Sequence, residues 1–189
     1  MTDQPMSDEE LHEIRVGDVP QLSGPVELVE YDPDWPRLYE REAARIRAAL
    51  GDAVVQLEHT GSTAVPGLVA KPRIDMLLVV PDSADEPAYV PGLEAAGYSL
   101  VIREPEWYEH RVFKGPDTDV NIHVFSPGCP EIDRMLRFRD HLRQNTGDRL
   151  LYERTKRELV GRDWKYVQQY ADAKTAVVEE MIARADPDR

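Results

Sequence analysis

The sequence predicts an α+β fold, in which a small mixed sheet is flanked by helices and followed by a C-terminal helical layer. Up to residue 127, segments of strand length alternate with helical segments, whereas from Pro130 onward helical patterns follow one another directly. We place one domain at 25–189, with an α/β core over 25–127 and a helical layer over 128–186. Residues 1–24 are acidic, and we expect a mobile tail there with one helical turn in SDEELHEIR.

The core is predicted to alternate strands and helices. VELVEY alternates apolar and polar residues, as a short strand does. The next segment is a helix with Asp34 as its cap, Pro36 in its first turn and Gly51 at its end. Strands follow in AVVQLEH, RIDMLLVV and YSLVI, with a short helix around 64–70 before the second and a helix in DEPAYVPGLEAAG before the third.

A hairpin and three helices complete the predicted fold. YEHRVFK and DVNIHVF are paired strands in this interpretation, because GPDT between them supplies turn residues. Helices are expected at about 130–144, 147–160 and 163–184. Pro130 suits a helix start and Gly161 a helix end.

Composition excludes several classes of partner and site. The net charge of -13, from 23 basic and 36 acidic residues, argues against duplex nucleic acid, whose phosphates need a basic surface. A small anionic ligand stays open where basic side chains converge. The single cysteine, Cys129, excludes an intrachain disulfide and a cysteine-rich zinc site. No segment reaches the ~20 apolar residues of a membrane span, and the start MTDQPMSDEE is acidic where a secretion signal is basic. We therefore expect a cytoplasmic protein, of undetermined oligomeric state.

The stretch HTGSTAVPGLVAKPRID, residues 59–75, holds the strongest candidate site. Gly61 and Ser62 turn the chain from a strand into a helix, and the backbone N–H groups of such a turn suit a phosphate. Asp75 follows in an apolar strand, where a lone carboxylate is costly to bury unless it is paired or binds a metal ion. Together they are typical of a nucleotide site, with phosphates on the turn and a divalent ion on the carboxylate.

A purely structural interpretation of the same residues also stays open. In it, Ser62 or Thr63 caps the short helix, and Asp75 forms an ion pair with a neighbouring basic residue. In the functional interpretation, phosphate is bound by the turn and the basic residues that follow it, namely Gly61, Ser62, Thr63, Lys71 and Arg73.

The segment LEHTGSTAVPGLVAKPRIDMLLVV resembles the GrpB family, which is similar in fold to the nucleotidyltransferases. The resemblance covers roughly residues 26–184 and includes VEYDPDWPRLYEREAARI, NIHVF and FRDHLR. It implies a nucleotidyltransferase-like fold, a nucleoside triphosphate or another small anionic ligand, and Mg²⁺ or Mn²⁺ held by Asp75. Domains of this family are also found fused to dephospho-CoA kinase, which suggests a link to coenzyme metabolism.

The sequence departs from the nucleotidyltransferase pattern at one position. That pattern has two carboxylates separated by one residue on one strand, where they share metal ions, and here Leu77 stands at the second position. The strand DVNIHVF offers replacements, because a period of two places Asp119, Asn121 and His123 on one face. We expect Asp119 to be a second metal ligand, His123 a nitrogen ligand or general base, and Asn121 a phosphate contact. The alternative is an edge strand whose polar residues face water.

Three more residues are candidates because of their position or charge. His59 directly precedes the Gly-Ser turn and joins Asp75 and His123 as a candidate catalytic residue. Arg139 and Lys156, on the predicted helices, are candidate phosphate contacts, since a guanidinium fork and an ammonium group both bind phosphate oxygens. Salt bridges to neighbouring acidic residues are the alternative role for both.

Two functions of different classes follow. The first is a metal-dependent nucleotidyltransferase that uses a nucleoside triphosphate and acts on a hydroxyl or amine of a small molecule or protein. The second is a non-catalytic nucleotide- or anion-binding accessory module, linked to coenzyme metabolism by analogy alone. Asp75 beside an intact Gly-Ser turn favours the enzyme, and Leu77 favours the binding module.

Overall fold

A computed structural model of the chain describes residues 7–17, 27–162 and 166–185. Its centre is a five-stranded sheet with the strand order β1-β2-β5-β4-β3. The strands are β1 (Gln56–Thr60), β2 (Ile74–Val79), β3 (Ser99–Glu104), β4 (His110–Lys114) and β5 (Val120–Phe125). The central pair, β2 and β5, is parallel, and the other neighbours pair antiparallel. This mixed sheet confirms the predicted fold class, including the hairpin of β4 and β5.

Seven α-helices surround the sheet in these three ranges. They are α1 (Asp8–Ile14), α2 (Trp35–Leu50), α3 (Val90–Ala95), α4 (Pro130–Gln144), α5 (Thr146–Val160), α6 (Val167–Asp172) and α7 (Thr175–Arg184). Helices α2 and α3 pack on one face of the sheet, and α4 packs on the other, where it is joined by α5 and α7. None of the helices so described is long and apolar enough to cross a membrane.

Alternation along β2 assigns its side chains to the two faces of the sheet. Met76 and Leu78 pack in the core under α2 and α3. Leu77 and Val79 point the other way and pack with Ile132 of α4. The polar side chains at the starts of β2 and β5 share the face of Leu77, but there they face a gap beneath α5 to α7, which is the cavity described below.

Three elements differ from their predictions. In VELVEY, Val29 makes an isolated bridge to Ala70 in place of a strand. The helix expected around 64–70 is a single 3₁₀ turn, Ser62–Ala64, because Pro66 lacks an N–H donor and Gly67 has a φ of +75°. The helix expected over 163–184 is divided into α6 and α7 by a turn at 173–174, and residues 163–165 lie outside the described part of the chain.

Part of the segment that was expected to be a mobile tail packs against the sheet. The expected helical turn is α1, where the Ser7 side chain and Glu10 form a reciprocal capping box. Leu11 of this helix is 2% exposed, and Arg15 bridges to Ile102 on the edge strand β3. Residues 7–17 therefore form one wall of the molecule, contrary to a freely extending tail.

Candidate functional site

A cavity of about 460 Å³ lies between the sheet and the C-terminal helices. Asp75, Asn121 and His123 line it from β2 and β5, and the turn over residues 61–63 lines it beside them. Helices α4 to α7 close the opposite side, and α1 with the residue that follows it closes the edge. A volume of this size suits a small-molecule ligand.

The lining of this cavity is strongly basic. Seven of its side chains are basic, namely Arg15, Lys71, Arg73, Lys114, Arg134, Lys156 and Lys174, and Asp75 is the one carboxylate among the described lining residues. The chain contains five lysines, and the four that the structure describes all line this cavity. In a protein of net charge -13, such a local concentration of positive charge attracts an anion.

Burial and mutual repulsion weaken the protonated forms of these lysines. Burial, with the nearby charge of Lys174, lowers the pKa of Lys156 to about 7. Burial, with the nearby charge of Arg73, lowers the pKa of Lys114 to about 8. The pKa values of Lys71 and Lys174 are lowered chiefly by burial as well. An anion bound in the cavity offsets the repulsion between these cations and so raises the pKa values of the lysines.

The basic side chains differ in how the protein holds them. Lys156 donates to Oγ of Ser62, with 3.2 Å between Nζ and Oγ, so the predicted phosphate ligands Ser62 and Lys156 lie together. Arg15 and Lys71 form no ion pair and no side-chain hydrogen bond with any residue that the structure describes, and Lys174 lies over the ring of Tyr170, with 4.5 Å from Nζ to the ring centroid. No described carboxylate forms an ion pair with these three cations or with Lys156, so a bound anion would be their first negatively charged partner.

Asp75 lies at the centre of the sheet side of the cavity. One carboxylate oxygen accepts a hydrogen bond from Nδ2 of Asn121 at 3.0 Å, because the parallel register of β2 and β5 places the two residues side by side. The other carboxylate oxygen, Oδ2, packs against Gly61. A Cβ added to Gly61 would lie 2.5 Å from this oxygen. Gly61 has a φ of +68°. Burial raises the pKa of Asp75.

The donors around Asp75 do not complete a protein-held metal site. The carboxylate of Asp119 is engaged by Arg73, with 2.7 Å between Nε and Oδ1, and by Lys114 at 3.6 Å. Leu77 is fully buried under α4, so its position does not face the cavity. No group of three His, Cys, Asp or Glu side chains suited to a metal ion occurs among the described residues. Mg²⁺ or Mn²⁺ therefore stays a prediction.

His59 lies on the other face of the sheet from Asp75. Its register partner is Met76, which points into the core under α2. The imidazole stacks on Tyr39 at 4.9 Å between ring centroids and bonds through Nε2 to Oγ1 of Thr63 at 3.0 Å. Burial and the nearby arginines of α4 lower the pKa of His59 to about 4. This placement makes His59 a packing residue beneath the turn, outside the cavity where we expected it.

Thr63 and Arg139 also have structural partners. Oγ1 of Thr63 donates to the carbonyl of Arg73 at 3.1 Å, which ties the turn to the start of β2. Arg139 binds Glu58 at 2.9 Å and the carbonyl of His59 at 3.0 Å, and it also pairs with the adjacent Asp140. The geometry therefore does not provide the phosphate contact expected from Arg139, although Thr63 borders the cavity.

Four basic residues of the cavity were missed as site residues by reasoning from the sequence. They are Arg15, Lys114, Arg134 and Lys174. Lys114 is paired in register with Asn121 across β4 and β5, which a hairpin prediction alone does not fix. The signal that could have identified Lys114 and Lys174 is the rarity of lysine in a chain rich in arginine.

Comparison with known proteins assigns the chain to a family. Residues 25–184 match the family model for GrpB protein. The chain belongs to the GrpB family. The crystal structure of the conserved protein GrpB from Enterococcus faecalis is similar, with a TM-score of 0.74 and 30% sequence identity over 84% of this chain and 96% of that one. This likeness confirms the fold that the resemblance implied.

Two relatives of this GrpB-family chain bear on its function. A UPF0157 protein of Halalkalibacterium halodurans is 60% identical over 182 residues, which cover 96% of this chain and 93% of the relative. A protein named dephospho-CoA kinase from Mycolicibacterium paratuberculosis is 28% identical, and the match covers 85% of this chain but 46% of that protein. The GrpB-like part of the second relative is therefore about half of a longer chain.

Proposed function

We propose that this protein binds a small phosphorylated molecule of the nucleotide class in the basic cavity. The observation that carries the proposal is the placement of lysine: all four described lysines line one cavity of an acidic protein. Lysine ammonium groups bind phosphate oxygens as point charges, and the arginines of the same cavity add planar forks.

The charges that line the cavity support an anionic ligand. Arg15, Lys71 and Lys174 are partly shielded from water without an ion pair to any described residue. Holding unpaired charge there is costly, because desolvation and repulsion both disfavour it. A phosphate group offsets both terms. The cost is understandable in a binding site and has no equivalent purpose in a structural core.

An accessory binding role is the form of the proposal that the cavity favours. Asp75 is a single carboxylate among cations, and Asp119 is occupied by Arg73. The relative named dephospho-CoA kinase supports a phosphorylated coenzyme or its nucleotide precursor as ligand, since its GrpB-like part accompanies further sequence. On this proposal the chain binds the phosphorylated compound and does not itself transfer a group.

A second candidate is nucleotidyl transfer at the same cavity, and one observation favours it. Gly61 brings the main chain against Asp75, and Ser62 lies beside Lys156, which is the strand–turn–strand arrangement expected of a triphosphate site. In this candidate the lysines neutralise charge that develops on the phosphates. The metal ion that the fold family implies would bind Asp75, and the residues that the structure describes supply too few further donors to hold it.

Calorimetric titration separates these functions. Inorganic phosphate, pyrophosphate and ATP are titrated with and without magnesium into the wild type, Lys71→Met, Lys174→Met and Asp75→Asn. The surface variant Arg157→Met is a matched control, because it removes one positive charge outside the cavity. We expect metal-independent binding that each lysine variant weakens roughly tenfold or more, on the scale of one charged hydrogen bond, and that the control leaves unchanged.

Other results of the titration have defined meanings. Binding that needs magnesium and is abolished by Asp75→Asn would support the transferase, with pyrophosphate release as the next assay. Binding equally weakened by Arg157→Met would assign the effect to net charge and would contradict a lysine-lined site. The absence of heat and of competition by any of the three phosphates would contradict the proposal.

A further inference from the structure

Three titratable side chains form a hydrogen-bonded row beside the cavity. Glu104 and His110 are paired in register at the ends of β3 and β4, and Oε2 of Glu104 lies 2.6 Å from Nδ1 of His110. Nε2 of His110 lies 3.1 Å from Nδ1 of His123. His123 lines the cavity. The row therefore runs from a carboxylate through two imidazoles to the ligand space.

Packing fixes the rings of this row. His110 is 4% exposed and lies between Trp107, which meets it edge-on at 5.0 Å, and Phe125, which lies parallel to it at 4.6 Å between centroids. The planes of His110 and His123 differ by 6°. Because a ring nitrogen bonds in the plane of its ring, nearly parallel rings at this distance align an N–H with a lone pair.

The proton positions along the row follow from the first group when Glu104 is ionised and both imidazoles are neutral. An ionised carboxylate can only accept, so Nδ1 of His110 carries the proton that Glu104 receives. Nε2 of neutral His110 is then an acceptor, and Nδ1 of His123 must be the donor. Nε2 of a neutral His123 is consequently unprotonated. No described residue forms a hydrogen bond with that nitrogen.

We propose that Glu104 and His110 are positioning residues that hold His123 as the Nδ1–H tautomer, so that its Nε2 accepts a hydrogen bond from a hydroxyl of the bound phosphorylated ligand. The proposal rests on the proposed function for the identity of the ligand, while the tautomer itself does not. Burial, the neighbouring His110 and the charge of Lys114 lower the pKa of His123 to about 3, which keeps the ring neutral.

A lone pair among cations gives this cavity two kinds of recognition. Fully ionised phosphate oxygens are acceptors, so they bind Lys71, Lys114 and Lys174 but are repelled by an unprotonated Nε2. A hydroxyl is a donor and has the opposite preference. The site therefore selects a phosphorylated compound that also carries a free hydroxyl, as sugar phosphates and nucleotides do, over a phosphate monoester that has none, such as methyl phosphate.

The tautomer is tested first, on the ligand-free protein. Long-range ¹⁵N–¹H correlation spectra of ¹⁵N-labelled protein near pH 7.5 distinguish protonated from unprotonated ring nitrogens. We expect His110 and His123 both as Nδ1–H tautomers. In His110→Phe, which suits the aromatic packing of Trp107 and Phe125, nothing at position 110 accepts from Nδ1, and His123 is expected to gain the Nε2–H form. An Nε2–H or doubly protonated His123 in the wild type would overturn the proposal, and the wild-type spectrum decides this even where the variant fails to fold.

The ligand contact is tested near pH 8 with two phosphate monoesters as probes: methyl phosphate, whose dianion has no O–H, and ribose 5-phosphate, which has free hydroxyls. We expect the wild type to bind ribose 5-phosphate about three- to tenfold more tightly, as one neutral hydrogen bond allows, with a shift of the Nε2 signal of His123. His110→Phe should lose that preference without losing affinity for methyl phosphate. Binding of both probes without preference or Nε2 shift would overturn the contact. Binding of neither, with the tautomers as expected, would overturn the proposed function and, with it, this contact, but not the proton arrangement.

Discussion

Replacement of Gly61 by alanine tests the contact between the turn and Asp75. Two features of the structure oppose a side chain at this position. The backbone has a φ of +68° and a ψ of -170°, a region that glycine alone adopts readily. An added Cβ would also lie 2.5 Å from Oδ2 and 3.0 Å from Cβ of Asp75. The second distance involves an atom fixed to the β2 backbone, so rotation of the carboxylate alone does not relieve the contact.

The expected magnitude is the sum of backbone strain and steric conflict. A non-glycine residue in such a backbone region costs about 1–3 kcal/mol, and forcing extra volume into a packed site costs about 1–3 kcal/mol. Gly61→Ala should therefore lower the free energy of unfolding by about 2–6 kcal/mol. Gly67→Ala is the matched control, because Gly67 has a φ of +75° but nothing within 4 Å of an added Cβ. Strain alone predicts a loss of about 1–2 kcal/mol there.

Urea denaturation of the wild type and the two variants, followed by circular dichroism, measures both losses. Comparison of the two variants cancels much of the shared strain and leaves the contact with Asp75. The result that would refute the reasoning is a Gly61→Ala variant no less stable than Gly67→Ala. It would mean that the backbone near the cavity relaxes freely and that Asp75 is not held against the turn.

The remaining predictions concern charge and burial. Affinity for pyrophosphate should fall by roughly tenfold or more from pH 7 to pH 9, because Lys156 and Lys114, with pKa values of about 7 and 8, lose the protons whose charge binds the anion. Calorimetry at the two pH values measures this change. A constant affinity would contradict the prediction. The pKa of His59 is about 4 in the folded protein and ~6.5 in the unfolded chain. Between pH 6.5 and pH 4 the unfolded chain therefore binds more protons than the folded protein. The contribution of His59 to the free energy of unfolding is complete above pH 6.5 and is lost as the pH falls toward 4. Urea titrations should show a loss of roughly 3 kcal/mol at most from this group, and a smaller acid loss in His59→Gln. Arg139→Met should lower the free energy of unfolding by about 1–3 kcal/mol through its lost hydrogen bonds and leave phosphate affinity unchanged. A variant as stable as the wild type that binds phosphate more weakly would instead support Arg139 as a phosphate contact. Leu77→Asp should unfold the protein or cost more than ~4 kcal/mol without creating a magnesium site, and a folded variant that binds magnesium would contradict the placement of Leu77 under α4.

Apolar periodicity, together with the positions of proline and glycine, was sufficient to predict most of the fold. The helix from Trp35 to Leu50 and the strand from Ile74 to Val79 follow from apolar spacing and from Pro36 and Gly51 at the ends. The parallel pairing of β2 and β5 could not be read this way, because it depends on contacts between distant segments. The strand expected in VELVEY failed for the same reason: alternation describes a segment that can pair, and this one has a single bridge.

The candidate site was predicted in part, and the limits have a physical cause. Ser62, Lys71, Asp75 and Asn121 were identified because the turn and the alternation along strands place them near one another. His59 was expected beside them. On β1, however, Thr60 is the residue paired with Asp75, and because side chains alternate along a strand, His59 points to the opposite face of the sheet. Sequence spacing cannot show which residues of separate helices converge.

The lysines of the C-terminal layer illustrate that limit. Lys156 was predicted as a phosphate contact from its charge, whereas Lys174 was not among the predicted site residues. Both line the same cavity, since α5 and the turn before α7 pack over the starts of β2 and β5. Their convergence is a tertiary property, and it is the basis of the proposed function.

The NMR signals of the lysine side chains in the intact protein test that function most directly. Protein grown with ¹³Cε-labelled lysine has few signals, because the chain has five lysines. Titration with pyrophosphate and ATP in the absence of metal should shift the Cε signals of Lys71, Lys114, Lys156 and Lys174 along one saturation curve, with assignment by single Lys→Arg variants. Signals that stay unmoved at millimolar concentrations of both compounds would contradict a phosphate-binding cavity.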